Sequence, residues 1–210
     1  MLSAILNNLL NGLCFGAALF LPVFFFQGPY WDTPLIAGLS IIPFGLSFII
    51  VGPLSGRWSD KYGPRTLTIS GPALMATAFL GLAFINHATP FWLIVTLEFM
   101  MGIGGALFSS PNTSSIMKAV PPECRGTASG TRLMLRNTGQ MFSLAFAFPL
   151  VLSGIPIQDV LNLFVYGGGI SPQALATFES GLHDAFLLFF FFAVASTLIA
   201  MMRPRKKIEQ

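Results

Sequence analysis

Glu98 is the acidic residue that lies deepest within an apolar stretch of the sequence. It lies about seven residues into a predicted membrane span at 91–112, which is about 10 Å along a helix that rises about 1.5 Å per residue. An ionisable group at this depth is costly and suggests a functional role, here the uptake and release of a proton. The structural alternatives are an acid near the lipid headgroups or one paired with a Gln or Ser inside the bundle.

Charged residues cluster in the stretch Gly52–Arg65, between two long apolar runs. Gly63 permits a tight backbone path, and Pro64 disfavours helix in the residue before it. We therefore expect a compact charged loop where a membrane helix stops and turns back. The alternative role is a turn whose charges only stop translocation. The positions concerned are Gly56, Arg57, Asp60, Lys61, Gly63 and Arg65.

Amide side chains recur in the apolar segments. Asn7 and Asn11 lie four residues apart and so share a helix face. Such amides could line a path for a substrate, and they could equally form hydrogen bonds between helices. The candidates for lining a cavity are Asn7, Asn11, Asn112, Asn137 and Gln140.

Composition identifies a membrane protein. Of the 210 residues, 54% are hydrophobic and 9% are charged, and the mean hydropathy is +0.74. A soluble domain carries about 25% charged residues. The formal charge of +3 says less than the distribution of the cations, and no nucleic-acid partner is expected.

The sequence lacks the marks of an enzyme. It contains no Gly-x-Ser-x-Gly, His-Glu-x-x-His or Gly-rich phosphate loop. Its two cysteines, Cys14 and Cys124, fall in a predicted helix and a charged loop, so neither a metal site nor a disulfide is indicated. We expect no cofactor, no catalytic residue and no ATP-driven pump.

Six apolar stretches predict an all-α membrane protein. Each is about 20 residues long, enough to cross a hydrocarbon core of about 30 Å. The stretch Gly154–Leu182 is mixed, with a helix start at Ser171-Pro172, and is expected to be a loop holding one or two short amphipathic helices. Residues 1–210 are therefore expected to form a single six-helix transmembrane bundle, with spans at about 4–26, 35–55, 66–85, 91–112, 127–152 and 184–202.

With six spans, all eleven Lys and Arg residues fall on one side of the membrane. Positive residues mark the cytoplasmic side. We therefore expect a multi-pass protein of the cell membrane with both termini in the cytoplasm and Gly154–Leu182 outside. The cations of the junction between the fourth and fifth spans include Arg125, Arg132 and Arg136, and the last two share a helix face.

Two motifs resemble a known family of transporters. The pattern Gly56-x-x-x-Asp60-Lys61-x-Gly63-x-Arg65 resembles the signature loop of the major facilitator superfamily. The stretches Pro111–Ser115, Pro121–Gly130 and Arg136–Gly139 look like the C-terminal half of its fourteen-helix drug/proton antiporter branch. The family usually has a run of basic residues after the second glycine, where this chain has only Arg65.

The resemblance implies a fold and a function. The six helices would form one half of a major facilitator fold, itself built from two inverted three-helix repeats. The function implied is secondary transport, with proton-driven export of small lipophilic compounds. The partners implied are the lipid bilayer, a small-molecule substrate, and either an N-terminal six-helix half or a second copy of the chain. A non-transporting accessory subunit or an inactive truncated transporter is the competing interpretation.

The resemblance also implies a role for Asp60. In the family, the matching acid pairs with basic groups and a helix end on the cytoplasmic face, and this latch holds one conformation. The basic partners available here are Arg57, Lys61, Arg65 and Arg136. The alternative is a solvated ion cluster that contributes about 0–1 kcal/mol, as most surface pairs do.

Overall fold

The computed structural model describes residues 2–27, 34–86, 88–162 and 171–202. In these ranges the regular structure is helical and no strand occurs, which confirms the all-α class. A short 3-10 turn, Pro122–Cys124, joins the fifth and sixth helices. The helices are α1 (Leu2–Gln27), α2 (Pro34–Leu39), α3 (Ile42–Tyr62), α4 (Pro64–Leu82), α5 (Phe91–Lys118), α6 (Arg125–Leu152), α7 (Ile157–Leu161) and α8 (Pro172–Met201).

Four helical stretches in the described ranges are long and apolar enough to cross a membrane. They are Ile5–Gln27, Ala37–Tyr62, Phe91–Lys118 and Pro172–Met201. The chain is therefore a multi-pass membrane protein. The six-span prediction adds α4 and α6, which have 19 and 28 residues. Their crossing of the membrane stays a prediction, as does the inverted repeat.

The charged stretch is helix rather than loop. Helix α3 continues to Tyr62, so Asp60 and its neighbouring cations lie on its last turns. The chain reverses at Gly63, whose φ of 84° lies in the left-handed region that favours glycine. Pro64 then begins α4. The expectation of a compact loop was wrong because charged side chains do not end a helix that runs on into water.

The last long helix begins earlier than expected. A helix does start at Ser171-Pro172, and the Ser171 hydroxyl caps it by accepting a hydrogen bond of 3.2 Å from the Ala174 amide. It then runs unbroken to Met201 rather than beginning at residue 184. The mixed stretch holds the short α7, and residues 163–170 lie outside the described part.

Glycines let pairs of helices meet backbone to backbone. A Cβ on Gly12 of α1 would lie 2.5 Å from the Arg136 carbonyl oxygen of α6, and one on Gly139 would lie 2.5 Å from the Leu9 carbonyl oxygen. Gly71 of α4 and Gly104 of α5 oppose each other in the same way, at 2.6 Å. Small residues at such crossings are the usual means of close helix packing in membranes.

Phenylalanines fill the spaces that this packing leaves. Phe79 of α4 lies 6.1 Å from Phe189 of α8, measured between ring centroids, and both side chains are fully buried. Phe25 and Phe26 of α1 are buried in the same core. The interior of the bundle is consequently apolar, so each polar side chain inside it needs a separate explanation.

Candidate functional site

Glu98 is buried in the described part of the bundle. Its side chain is 1% exposed, and neither carboxylate oxygen has a hydrogen-bond partner among the described residues. Gly102, one turn further along α5, packs against Phe44 of α3, where its Cβ would lie 2.4 Å from the carbonyl oxygen. Residues four apart share a helix face. Glu98 therefore lies on the face of α5 that meets α3.

Position and surroundings together make Glu98 chemically unusual. Buried charges in proteins are normally paired or neutralised. Within the described residues no Gln or Ser satisfies this carboxyl group, so the paired structural alternative receives no support there. A carboxyl group held in this way can exchange a proton when a conformational change brings it to water.

The charged residues at the end of α3 are arranged differently. The side chains of Arg57, Asp60 and Lys61 are exposed, and the Lys61 ammonium lies 5.2 Å from the centre of the Tyr62 ring. Gly56, by contrast, faces α5, with a Cβ position 3.6 Å from the Ser110 hydroxyl oxygen. These charges are accessible to a partner from outside the described bundle.

Arg65 ties two helix ends together. It is half-buried at the start of α4, and its Nη2 donates a hydrogen bond of 2.6 Å to the carbonyl oxygen of Met201 at the end of α8. Carbonyl groups at a helix end lack partners within the helix and attract a cation. Arg65, a member of the sequence motif, is thus bonded to α8, whereas Asp60 is exposed.

The asparagines of α1 contact several neighbouring helices. Asn7 is fully buried, and its Oδ1 accepts a hydrogen bond from the Ser196 hydroxyl of α8. Asn11 is 6% exposed and directs its amide nitrogen at the Met75 sulfur of α4, 3.9 Å away. Although the two share a helix face, they meet different helices, because α8 packs along α1 while the Met75 side chain of α4 reaches Asn11.

Asn8 of α1 contacts two further helices and was not among the candidates from the sequence. Its Nδ2 donates a hydrogen bond of 2.7 Å to the Arg132 carbonyl oxygen of α6. Its Oδ1 accepts from Asn112 of α5 at 3.5 Å. The signal that could have identified it is the density of three asparagines within five residues of an apolar helix. Asn137 is exposed and Gln140 is half-buried, both on α6.

Arg136 rests on an aromatic cluster. Its guanidinium carbon lies 4.3 Å from the centre of the Phe15 ring on α1, within the range of a cation–π contact. Phe15 in turn meets Phe44 and Phe48 of α3 edge-on, at 5.2 and 5.6 Å between ring centroids. A Cβ on Gly105 of α5 would lie 3.0 Å from Phe48. Four helices therefore converge around this half-buried cation.

The structure thus places the predicted residues in four groups, the last being the arginines of α6. Glu98 faces α3, the α1 and α5 amides bridge helices, and the exposed motif charges lie at the end of α3. Arg132 and Arg136 are half-buried on α6, whereas Arg125 is exposed at its start. The sequence did not indicate the aromatic support of Arg136, since the 22 phenylalanines look alike in the sequence.

Known proteins resemble the chain in both sequence and fold. The sequence model of the Major Facilitator Superfamily matches residues 2–144. The riboflavin transporter RibZ of Clostridioides difficile is 30% identical over 116 residues, which are 55% of this chain and 25% of RibZ. The multidrug resistance protein Stp of Mycobacterium tuberculosis is 34% identical over 121 residues, 58% of this chain and 22% of Stp.

A solved structure shows the same fold. The fucose:proton symporter FucP of E. coli has a TM-score of 0.70 with this chain at 17% sequence identity. The match covers 97% of this chain and 49% of the symporter chain. The chain therefore spans about half the length of this structural neighbour and about a quarter of the two curated relatives.

Proposed function

Because the chain belongs to the Major Facilitator Superfamily, we propose that it works in a secondary active transporter that exports small lipophilic compounds while protons enter. Members of this family are transporters rather than enzymes. The name of Stp supports drug-like substrates, and the name of FucP supports coupling to protons. The resemblance of the loops to the drug/proton antiporter branch points the same way.

The observation that carries the proposal is the burial of Glu98 without a hydrogen-bond partner among the described residues. In the proposed cycle this carboxyl group takes a proton from the outer side in one conformation and releases it to the cytoplasm in the other. Its place on the α3 face of α5 suits this role, because sliding or rocking between these helices would open a path to water.

The motif at the end of α3 supplies the latch in this proposal. Asp60 is exposed and can pair with a basic group or a helix end in one conformation and release it in the other. The hydrogen bond from Arg65 joins the start of α4 to the end of α8, so the segment next to the latch is held in place. A ligand or proton that favours one conformation shifts the population of the latched state.

Alternating access requires two bodies that move about a shared site. The chain spans about half the length of FucP, which supports a role as one of these two bodies. The other body would be an N-terminal six-helix segment or a second copy of the chain. In this proposal both termini lie in the cytoplasm and α7 lies outside, at the cell membrane; the distribution of the cations supports it. The alternative is a non-transporting accessory subunit or an inactive part of a transporter. The same partial coverage of the relatives supports this alternative.

Drug-driven proton flux in liposomes tests the function. We expect Glu98→Gln, which keeps the shape of the side chain and removes its proton, to abolish coupled proton flux and to leave substrate binding intact. The matched control is Glu123→Gln, an exposed acid on the turn before α6, which should transport normally. Wild-type coupling in well-expressed Glu98→Gln protein would remove the carrier role.

A further inference from the structure

A cavity of about 330 Å³ lies between the end of α5 and the start of α6, over the first turns of α1. Its volume is at the lower end of the range of ligand pockets, about 300–1,000 Å³. Its walls are mainly apolar and include Ile5 of α1, Ile116 of α5 and Leu135 of α6. Neither Glu98 nor the aromatic cluster under Arg136 belongs to it.

Arg132 gives this apolar cavity a positive charge. The side chain is half-buried, and its Nε is buried without a hydrogen-bond partner in the ranges that the structure describes. Among the described residues that line the cavity there is no carboxylate to balance the charge. Arg136 lies one turn further on the same face of α6 and adds to the positive potential.

Asn8 lines the cavity, and its side-chain amide already has hydrogen-bond partners. This side chain is 3% exposed, and its amide is engaged by the Arg132 carbonyl oxygen and by Asn112. Because Nε of Arg132 is buried, the donors left for a ligand are the terminal Nη1 and Nη2 of the guanidinium rather than the amide. A guanidinium beside apolar walls suits a molecule with an anionic group at one end and an apolar body.

We propose that this cavity binds a small amphipathic anion, with its carboxylate on Arg132 and its apolar body against Ile5, Ile116 and Leu135. The first turn of α6 also lines the cavity, and the positive end of the helix dipole there favours an anion. A phospholipid with two acyl chains is far larger than this cavity, which favours a small molecule over a whole lipid as the occupant. The site does not depend on the direction of transport or on proton coupling.

The cysteines of the chain provide a direct reporter of occupancy. Cys124 is exposed and lines the cavity, whereas Cys14, the other cysteine of the sequence, is 1% exposed. In nanodiscs of neutral phosphatidylcholine, we expect octanoate to slow the labelling of Cys124 by a maleimide. At about four times its Kd, single-site occupancy predicts slowing of about fivefold. Octylammonium, which has the same tail and the opposite charge, should not protect Cys124.

Arg132→Gln tests the role of the charge. The variant should label at the wild-type rate without octanoate and lose the protection with it, while Arg57→Gln, an exposed arginine outside the cavity, keeps the protection. If Arg132→Gln fails to fold, Arg132→Lys keeps a charge and should keep partial protection. Equal protection by octylammonium, or protection that survives in Arg132→Gln, would overturn the proposal.

Nanodiscs that contain an anionic lipid distinguish the two sources of an anionic amphiphile, which are the membrane lipid and a free small molecule. Nanodiscs that contain phosphatidylglycerol should leave Cys124 labelling unchanged in the absence of octanoate. Slow labelling in these nanodiscs, with no further effect of octanoate, would assign the cavity to a lipid and contradict a small-molecule site. Absence of any protection by octanoate in the wild type would contradict it as well.

Discussion

Asp60 and Arg65 lie on either side of the Gly63 turn and have different surroundings. Arg65 is bound to the end of α8, and Asp60 is exposed. We expect Asp60→Asn to lower the transport rate at unchanged expression and unchanged thermal stability. The change removes a charge from the surface and keeps the shape, so it should shift a conformational equilibrium rather than unfold the bundle.

Asp60→Glu is the matched variant, because it keeps the charge and should keep most of the transport. The measurement is substrate efflux per inserted molecule. If Asp60→Asn transports at the wild-type rate, the charge serves only to set topology.

Rarity in an apolar sequence is the reason that Glu98 and most of the amides were chosen as candidates. The residues that they contact could not be predicted from the sequence. Helical spacing shows which residues share one face of a helix, but it does not show which neighbouring helix that face contacts. Asn7 and Asn11 illustrate this, one bonded to Ser196 of α8 and the other directed at Met75 of α4. Arg136 likewise needs Phe15 from a helix more than a hundred residues away.

At the scale of the helices, the contact of Gly71 with Gly104 makes a sharp prediction for packing. A Cβ on Gly104 would lie 2.6 Å from the Gly71 carbonyl oxygen, which is backbone and cannot rotate away. We expect Gly104→Ala to cost about 1–3 kcal/mol, the usual range for overpacking. A lower melting temperature of the purified protein would report this loss.

Gly45 of α3 provides the control for that substitution. A Cβ there meets nothing within 4 Å, and the residue also lies in a helix. Gly45→Ala should leave the melting temperature unchanged or raise it slightly, because alanine favours helix. Equal effects of both substitutions would show that helix propensity, rather than close contact, decides the outcome.

The helices themselves follow from apolar length, while their ends do not. Ser171-Pro172 signalled a helix start. Helix α3 passes through its charged turns and α8 extends far before residue 184, because polar side chains remain compatible with helix wherever they reach water. Hydropathy therefore predicts where a helix leaves the membrane, but it does not predict where the helix itself ends.

At the scale of the whole molecule, the distribution of cations predicts topology. Val160 of α7 should lie outside the cell and Lys118, at the end of α5, inside. In a Cys124→Ser background, a membrane-impermeant maleimide added to intact cells should label Val160→Cys and leave Lys118→Cys unlabelled. Labelling of Val160→Cys only after the cells are opened would reverse the topology.

The last prediction concerns the surface of α6. Asn7 and Asn11 are buried, so they need no further cover, but Asn137 is exposed near the middle of α6 and Gln140 is half-buried beside it. An amide without partners in hydrocarbon costs several kcal/mol by transfer scales. We therefore expect this face to meet a second helix bundle or a water-filled cavity between two bundles, as alternating access also requires.

Subunit counting in liposomes tests this expectation. Drug-driven proton flux should occur only where two copies, or one copy and a separate N-terminal half, share a vesicle. Asn137→Leu removes the exposed amide and should weaken the pairing, while Met141→Leu, an apolar exchange one turn further along α6, should not. Coupled flux from vesicles that hold a single copy would show that one bundle of this kind is sufficient for transport.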